Sequence, residues 1–263
     1  GQLRDGGDEV RSVVLAVGET RQIIRRARGY APYPIRLPYD GPMVLAVGPQ
    51  TKNTFCLTRE SNAFVSQHIG DLDSVETLDH FRSTVSLYRH LFRVNPAIVA
   101  HDLHPDYLST RVARELAHQG LRAVAVQHHH AHIAACMAEN GTTERVIGVA
   151  FDGAGLGPDG TVWGGEFLIC GPGSFERVGH LGQLPLAGGD AATLRPGRTA
   201  TGYLLYLFGE ETLRSVEAVM KGTTADERSA IAHQVRTGLN TPATSSMGRL
   251  FDAVAALTGI RQV

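Results

Sequence analysis

Residues 123–132 read Ala123-Val124-Ala125-Val126-Gln127-His128-His129-His130-Ala131-His132. The apolar run at the start of this segment predicts a short strand. The histidine cluster that follows opens an alanine-rich helix, which we expect to continue to about Glu139. A strand that passes directly into a helix is typical of α/β proteins, and the segment therefore indicates that fold class.

The alternation of strands and helices extends along the chain in both directions. Turn-forming residues between short apolar runs predict a strand and hairpin pattern over residues 43–65. Helical spacing of apolar residues and Gly- or Ser-bounded segments predict further helices. The predicted helices are 78–92, 108–118, 198–220, 225–238 and one starting near Ser246, and the further strands are 97–100, 146–151 and 162–169. Together these segments predict an α/β architecture with parallel or mixed sheets.

Length and charge limit the possible functions. The chain has 263 residues, of which 43% are hydrophobic, and this is enough for one large domain or two small ones. Lys and Arg number 25 against 26 Asp and Glu, which gives a formal net charge of −1. Because no basic field exists to hold a polyanion, we expect no binding to nucleic acid.

Several other classes of protein are disfavoured by what the sequence lacks. No apolar run approaches the roughly 20 residues that a membrane-spanning helix needs, and the first residues contain no apolar signal core. Cys56, Cys136 and Cys170 form no CxxC pair, so we expect buried, reduced thiols in a cytoplasmic protein. The absence of a GxSxG elbow, a Walker A sequence and a strand-linked GxGxxG disfavours serine hydrolysis and hydride transfer.

A proline-rich segment separates the first residues from the rest of the chain. Residues 30–38 read YAPYPIRLP, with three prolines in seven positions. This spacing favours extended backbone and disfavours helix. We interpret the segment as a linker and place a domain boundary near residue 40.

The histidine cluster is the densest candidate site. His128 and His132 are spaced i,i+4, so on a helix both rings project from one face, as two imidazole ligands of one metal ion do. His129 and His132 are spaced i,i+3 and could do the same, so the spacing leaves the choice open. Asp152, at the end of an apolar strand, is the candidate carboxylate ligand. The alternative is a helix start whose histidines face solvent.

Glycine-rich segments supply candidate phosphate contacts. Glycines let backbone N–H groups approach an anion closely, and such glycines occur in residues 152–157, 164–165 and 188–190. Arg195 and Arg198 follow the last of these segments and could contact a phosphate or a carbamoyl oxygen. In each case the alternative is an ordinary turn or solvated loop.

Seven motifs occur in a fixed order along the chain. They read KNTFC at 52–56, SQHIGDL at 66–72, DLHPDYLST at 102–110, VQHHHAH at 126–132, FDG at 151–153, WGGEF at 163–167 and GRLFDA at 248–253. This set strongly resembles the HypF family, the carbamoyltransferases of [NiFe]-hydrogenase maturation, from about residue 24 onward. The resemblance implies the two-lobed fold of actin, sugar kinases and heat-shock chaperones, the ASKHA fold.

The resemblance also implies a domain organisation. Residues 1–38 would be the tail of a YrdC-like domain with its linker, residues 39–145 the first lobe of the transferase domain, and residues 146–263 the start of an incomplete second lobe. The family's acylphosphatase-like and zinc-finger regions do not occur in these residues, and Val263 precedes the family's second-lobe nucleotide loop. We therefore expect this chain alone not to complete turnover.

The activity implied by the resemblance is carbamoyl transfer. Carbamoyl phosphate and ATP give a carbamoyl-adenylate, and the domain seen here passes the carbamoyl group to the C-terminal Cys of a HypE-type acceptor, for synthesis of the CN ligand. The family's HxxxH pair and following Asp bind a divalent metal and match His128, His132 and Asp152, with Zn or Fe expected. The implied nucleotide- or substrate-binding residues are Lys52, Gly153, Gly155, Gly165, Gly189 and Asp190.

One departure from the family pattern and two further hypotheses accompany this interpretation. Near Asp190 the family usually reads Arg-Glu-Pro-Trp-Arg, whereas this chain has Leu194-Arg195-Pro196-Gly197-Arg198. The second hypothesis is an O-carbamoyltransferase that acts on a small hydroxylated metabolite. The third is a degenerate, non-catalytic module that binds a metal or a nucleotide.

Overall fold

The structure is a computed structural model that describes residues 12–27, 29–211 and 223–260. The chain divides into two compact units. The first contains the residues up to Val126 together with Ala135–Thr143, and the second contains Gln127–Ala134 and the residues from Glu144 onward. Strands and helices occur in both units, which confirms the predicted α/β class. Among the described residues, no helix combines the length and the apolarity that crossing a bilayer requires.

The first unit contains a two-stranded hairpin and a five-stranded mixed sheet. Its elements are β1 (Val13–Val17), β2 (Thr20–Arg25), β3 (Ile35–Gly41), β4 (Val44–Ala46), β5 (Cys56–Val65), α1 (Val75–Leu91), β6 (Ile98–Asp102), α2 (Leu108–His118) and β7 (Arg122–Val126). β1 pairs with β2, and the larger sheet has the order β3-β5-β4-β6-β7. β4, β6 and β7 run parallel, and α2 makes the crossover between the last two of them.

The core of the first unit forms where the apolar face of α1 meets the sheet. Helical spacing buries Phe81, Val85 and Tyr88 on one side of α1, as the sequence predicts. Phe55, which precedes β5, packs edge-on against the rings of Phe81 and Tyr88, at centroid distances of 5.8 and 5.1 Å. The side chain of Ser74 accepts a hydrogen bond from the Thr77 N–H and so caps the start of the helix.

The predicted hairpin within residues 54–65 is wrong. The structure has a single strand there, β5, which pairs first with β4 at Leu57 and then with β3 at Ala63. Glu60, which pairs with Gly41 at the start of the β3 pairing, adopts a positive φ of 54°. The polar residues that resemble a turn therefore lie within one continuous strand, which has β4 on one side and β3 on the other.

The proline-rich segment is also more ordered than the predicted linker. From Ile35 it forms β3, which lies at the edge of the sheet and pairs with β5. Pro38 falls in the irregular part of this pairing, between Arg36 and Gly41, where its missing N–H costs no ladder hydrogen bond. The junction predicted between residues 38 and 39 lies within β3, and the assignment of residues 1–38 to a preceding domain stays a prediction.

The second unit contains a five-stranded sheet flanked by helices. Its elements are the first part of α3 (His128–Glu139), β8 (Val146–Leu156), β9 (Val162–Gly171), β10 (Ser174–His180), β11 (Leu184–Pro185), α4 (Asp190–Thr193), α5 (Pro196–Phe208), α6 (Ala225–Thr237), β12 (Ala243–Thr244) and α7 (Met247–Leu257). The sheet order is β10-β9-β12-β11, and β8 pairs with β9 in the predicted hairpin. Of the helix predicted for 198–220, residues 212–220 lie outside the described residues.

The two faces of β8 differ in character. On one face Gly148 meets α3 so closely that an added Cβ would lie 2.2 Å from the Ile133 side chain. On the other face Ile147, Val149 and Phe151 are exposed, with 78%, 54% and 52% of their surface accessible. β8 pairs with β9 alone among the strands of the described ranges. The close packing on the first face brings β8 against the first turns of α3.

All three cysteines are unpaired, as predicted, but they are not all buried. Burial raises the pKa of Cys56 to about 12, although the charge of Arg26 opposes this effect. Burial also raises the pKa of Cys170. Cys136 is exposed on α3, so the prediction of a buried thiol is wrong at that position, because an alanine-rich helix gives no clear sign of which side faces the core.

Candidate metal centre

The four histidines in the first turns of α3 separate into two pairs. His129 is fully buried, and its Nδ1 lies 3.2 Å from Gln127 Nε2. His130 is also buried, with Nε2 3.1 Å from the Gly171 carbonyl oxygen. The side chains of His128 and His132 keep 14% and 60% of their surface accessible. Each buried ring therefore has a partner in the protein interior, whereas His132 is exposed and His128 is partly accessible.

His128 and His132 meet Asp152, which lies in β8. The Nε2 atoms of the two imidazoles are 3.2 Å apart. The Asp152 Oδ2 atom lies 3.1 Å from His128 Nε2 and 3.4 Å from His132 Nε2. Across the described part of the chain, this is the group of three potential metal ligands whose donor atoms all lie within 4.8 Å of one another. The structure thus brings together the three residues that the resemblance assigns to a metal.

The donor set fits a transition metal. Ligand atoms at 2.0–2.1 Å from a tetrahedral zinc ion are about 3.3 Å apart, which matches the three observed separations. Three protein ligands with a partly accessible side leave a coordination position free, as in catalytic rather than structural zinc sites. Two imidazoles and one carboxylate also suit iron. Metal binding by His128, His132 and Asp152 stays a prediction, and the geometry is compatible with it.

Asp152 is ionised in this environment. Burial by itself would raise its pKa, but hydrogen bonds from His128 and His132 outweigh that effect, and the Gly153 N–H donates a further bond of 2.6 Å to Oδ1. These contacts hold the pKa of Asp152 well below its usual range. A permanently charged carboxylate beside two imidazoles is a ready ligand for a cation.

Comparison with known families identifies both parts of the chain. A model described as the HypF Kae1-like domain matches residues 39–139, and one described as "Carbamoyltransferase, Kae1-like Domain, second subdomain" matches residues 148–263. The chain belongs to the HypF family. Kae1-like domains have the ASKHA fold, so the fold predicted from the sequence is confirmed.

Individual relatives agree with this assignment. Carbamoyltransferase HypF2 of Cupriavidus necator is 49% identical over 255 residues, which make up 95% of this chain and 31% of that protein. Carbamoyltransferase HypF of Rhizobium leguminosarum is 40% identical, over 96% of this chain and 32% of that protein. The chain thus spans about a third of the length of these curated relatives.

Solved structures of HypF proteins have the same fold. A crystal structure of full-length HypF in the phosphate- and nucleotide-bound form is 46% identical, with a TM-score of 0.88 over 95% of this chain and 39% of that one. The crystal structure of T. kodakarensis HypF is 37% identical, with a TM-score of 0.86 over 94% of this chain and 34% of that one.

The HypF resemblance assigns three glycines of β8 and β9 to the nucleotide site. In two of them close packing leaves no room for a side chain, and in the third the backbone N–H already donates a hydrogen bond. A Cβ on Gly155 would lie 2.6 Å from His129 Cε1, so only glycine lets β8 pack against α3 at that point. A Cβ on Gly165 would lie 2.5 Å from the Ser245 carbonyl oxygen. The Gly153 N–H is used by Asp152. Contact of these residues with a nucleotide stays a prediction.

The remaining predicted binding residues lie in turns. In the first unit, Lys52 has a positive φ of 51°, and its N–H donates a 2.6 Å bond to Asp71 Oδ1. In the second unit, Gly189 precedes α4 and Asp190 begins it. Contact of all three residues with a nucleotide or a substrate stays a prediction.

The two arginines that follow α4 are paired within the protein. Arg195 Nη1 lies 2.8 Å from Glu227 Oε1, and Arg198 Nη1 lies 3.3 Å from the same oxygen. Arg198 Nε also donates a 2.8 Å bond to the Ala187 carbonyl oxygen. In this structure the two side chains therefore bind α6 and the loop before α4, and their contact with a phosphate or a carbamoyl oxygen stays a prediction.

A buried ion pair beside the glycine-rich strand was missed by the sequence analysis. Glu166 is fully buried and accepts hydrogen bonds from the Gly164 and Gly165 N–H groups, from the Ser245 hydroxyl and from Arg177 Nε at 2.7 Å. Burial would raise the pKa of Glu166, but these bonds, led by the one from Arg177, lower it. The β9–β10 register sets Arg177 opposite Leu168, two residues from Glu166 on the same face of β9, and no sequence signal reveals that register.

The buried ring of His129 gives a pH-dependent stability. Burial, aided by the neighbouring His128, lowers the pKa of His129 from its ordinary value of 6.5 to about 4. The unfolded chain therefore binds a proton between these pH values while the folded chain does not, so stability present above pH 6.5 is lost as the pH falls to 4. We expect this residue to account for about 3 kcal/mol of the loss.

Urea unfolding at pH 7 and at pH 4 measures this contribution. His129→Gln has no titrating ring, and it should lose less stability than the unchanged chain over the same range. Because the other histidines are common to both proteins, their contributions cancel in the comparison. Equal losses in the two proteins would contradict a neutral buried His129.

Proposed function

We propose that this chain is the transfer part of a HypF-type carbamoyltransferase that acts in [NiFe]-hydrogenase maturation. The single observation that carries the proposal is the set of His128, His132 and Asp152, with donor atoms 3.1–3.4 Å apart in a chain of this family. The relatives named as carbamoyltransferases support the reaction class, but the chain spans about a third of their length. The activity, its substrates and its partner are therefore proposed for the protein that contains this chain.

In the proposed reaction, the carbamoyl group moves from carbamoyl-adenylate, made from carbamoyl phosphate and ATP, to the C-terminal Cys of HypE. The thiolate sulfur forms a bond to the carbamoyl carbon, and the bond from that carbon to the adenylate phosphate oxygen breaks, so that AMP leaves. A bound Zn or Fe ion would act as a Lewis acid on the carbamoyl oxygen. His128, His132 and the ionised Asp152 would hold that ion.

The other residues of the site would bind and orient the adenylate. Gly153 and Gly155 lie in β8 and Gly165 in β9, and with Gly189 and Asp190 they are the proposed nucleotide and substrate contacts of the second unit. Lys52 is the proposed contact in the first unit. A relative crystallised in a phosphate- and nucleotide-bound form supports this role for the family. We place the reaction in the cytoplasm, in keeping with three unpaired cysteines.

A transfer assay tests the proposal. The chain is incubated with HypE and either supplied carbamoyl-adenylate or carbamoyl phosphate with ATP, and the HypE C-terminal peptide is analysed by mass spectrometry. We expect carbamoylation from the adenylate only, with HypE lacking its C-terminal Cys as the control. Carbamoylation of a small hydroxylated metabolite in place of HypE would favour the second hypothesis. No transfer from either donor by the whole protein that contains this chain, assayed in the same way, would contradict a transfer role.

A further inference from the structure

The backbone that carries Asp152 is not held by the regular pairing of its sheet. In the β8–β9 ladder Phe151 pairs with Gly165, and the next pair along the ladder is Gly155 with Trp163. Three residues of β8, 152–154, therefore lie opposite Gly164 alone, which is the geometry of a bulge. Because the ladder does not fix these residues, other contacts must determine where the Asp152 carboxylate lies.

Two close backbone approaches enclose the bulge. On the β9 side, a Cβ on Gly164 would lie 2.6 Å from the Asp152 carbonyl oxygen and 2.9 Å from Ser246 Cα. On the α7 side, a Cβ on Gly248 would lie 2.8 Å from Gly153 Cα. Separations below 3 Å leave no room for a side chain at either position. The bulge is thus packed between β9 and the first turn of α7.

The hydroxyl of Ser246 joins the bulge to the helix. Its oxygen accepts the Arg249 N–H at 3.1 Å, which caps α7. Its proton points to the Gly153 carbonyl oxygen at 2.7 Å, with the Asp152 carbonyl oxygen at 3.2 Å. A hydroxyl has one proton to donate and two lone pairs to accept, so both bonds can form together. Ser246 is only 3% exposed, and water has little access to replace these bonds.

We propose that Ser246 is a positioning residue for Asp152, which acts by tying the Asp152–Gly153 backbone to the start of α7. The inference rests on the proposed metal centre. Residues that orient a metal ligand without touching the metal typically contribute about 10- to 100-fold to metal affinity. Ser246 makes no contact with a donor atom and reaches the metal only through the backbone of Asp152.

Zn²⁺ affinity, measured by competition with a chromophoric chelator, tests the inference without an activity assay. Ser246→Ala is expected to weaken Zn²⁺ binding by about 10- to 100-fold. Gly248→Ala should weaken it as well, because the new Cβ would collide with Gly153. The two changes have opposite effects on the stability of α7. Ser246→Ala removes the helix cap, whereas Gly248→Ala introduces a residue of higher helix propensity. A shared loss of affinity would therefore not come from helix stability.

Thr224→Ala is the matched control in the same unit. The Thr224 side chain caps α6 through the Glu227 N–H at 3.2 Å, as Ser246 caps α7. Its removal should leave Zn²⁺ affinity unchanged. If Ser246→Ala and Gly248→Ala bind Zn²⁺ as the unchanged chain does while His128→Ala loses it, the positioning role is overturned and the metal centre stands. If His128→Ala also binds normally, the metal centre and this inference both fail. If Ser246→Ala does not fold, the Zn²⁺ affinity of Gly248→Ala decides between these outcomes.

Discussion

His128→Ala is expected to lose its bound metal and to transfer the carbamoyl group about a thousandfold more slowly. His128 Nε2 lies within 3.2 Å of both other donor atoms. Without it, only His132 and Asp152 remain as metal ligands. Lewis-acid stabilisation of developing charge is worth several kcal/mol, and each 1.36 kcal/mol is a factor of ten in rate. Metal content and the rate of HypE carbamoylation from supplied carbamoyl-adenylate are the two measurements.

His180→Ala is the control for His128→Ala. His180 is an exposed histidine at the end of β10 in the same unit, and its Nδ1 contacts only the neighbouring Leu181 carbonyl oxygen among the bonds described. Metal content and transfer rate should be unchanged in this variant. A His128→Ala protein that keeps both its metal and its rate would show that the three residues are not a metal centre.

Glu166→Ala is expected to lower the free energy of unfolding by about 3–5 kcal/mol. The Arg177 side chain is only 17% exposed, and removing the carboxylate leaves its charge buried without its main partner. The stacking of Arg177 on Trp163, 4.0 Å from the ring centroid, and its 3.1 Å contact with Asp159 remain but do not replace a buried carboxylate. The Gly164 and Gly165 N–H groups lose their acceptor as well. Urea unfolding at pH 7 measures the effect.

Glu115→Ala tests whether burial is the cause. Glu115 pairs with Arg82 at the same distance, 2.7 Å, but both side chains are about half exposed. Exposed pairs contribute about 0–1 kcal/mol. The double variant Glu166→Leu with Arg177→Met should recover part of the loss, because no buried charge is then left unpaired. Similar losses for Glu115→Ala and Glu166→Ala would contradict this explanation.

The elements that depend on local periodicity could be predicted from the sequence. The apolar spacing of α1 and the i,i+4 spacing of His128 and His132 are properties of one helix each, so neighbouring residues determine them. The family resemblance added the ASKHA fold and the choice of His128. The single strand β5 was missed because the polar residues around Glu60, which has a positive φ, resemble a turn in the sequence.

Contacts between residues distant in sequence could not be predicted. Ser246 meets Gly153 from 93 positions away, and its sequence context indicates only a helix cap. Arg177 meets Glu166 because the β9–β10 register sets it opposite Leu168, two residues from Glu166 on the same face, and a one-residue change in register would turn the side chain to the other face. Both contacts are set by packing across the sheet, which no local pattern encodes.

The exposed apolar face of β8 bears on how any variant of this chain behaves in solution. Ile147, Val149 and Phe151 lie on the same strand as Asp152, and an edge strand with an apolar face favours association between molecules. A substitution that loosens the strand would displace the metal ligand and would also free the backbone edge beside this exposed apolar face. Precipitation and metal loss should therefore rise together, and light scattering becomes an indirect reporter of how firmly Asp152 is held.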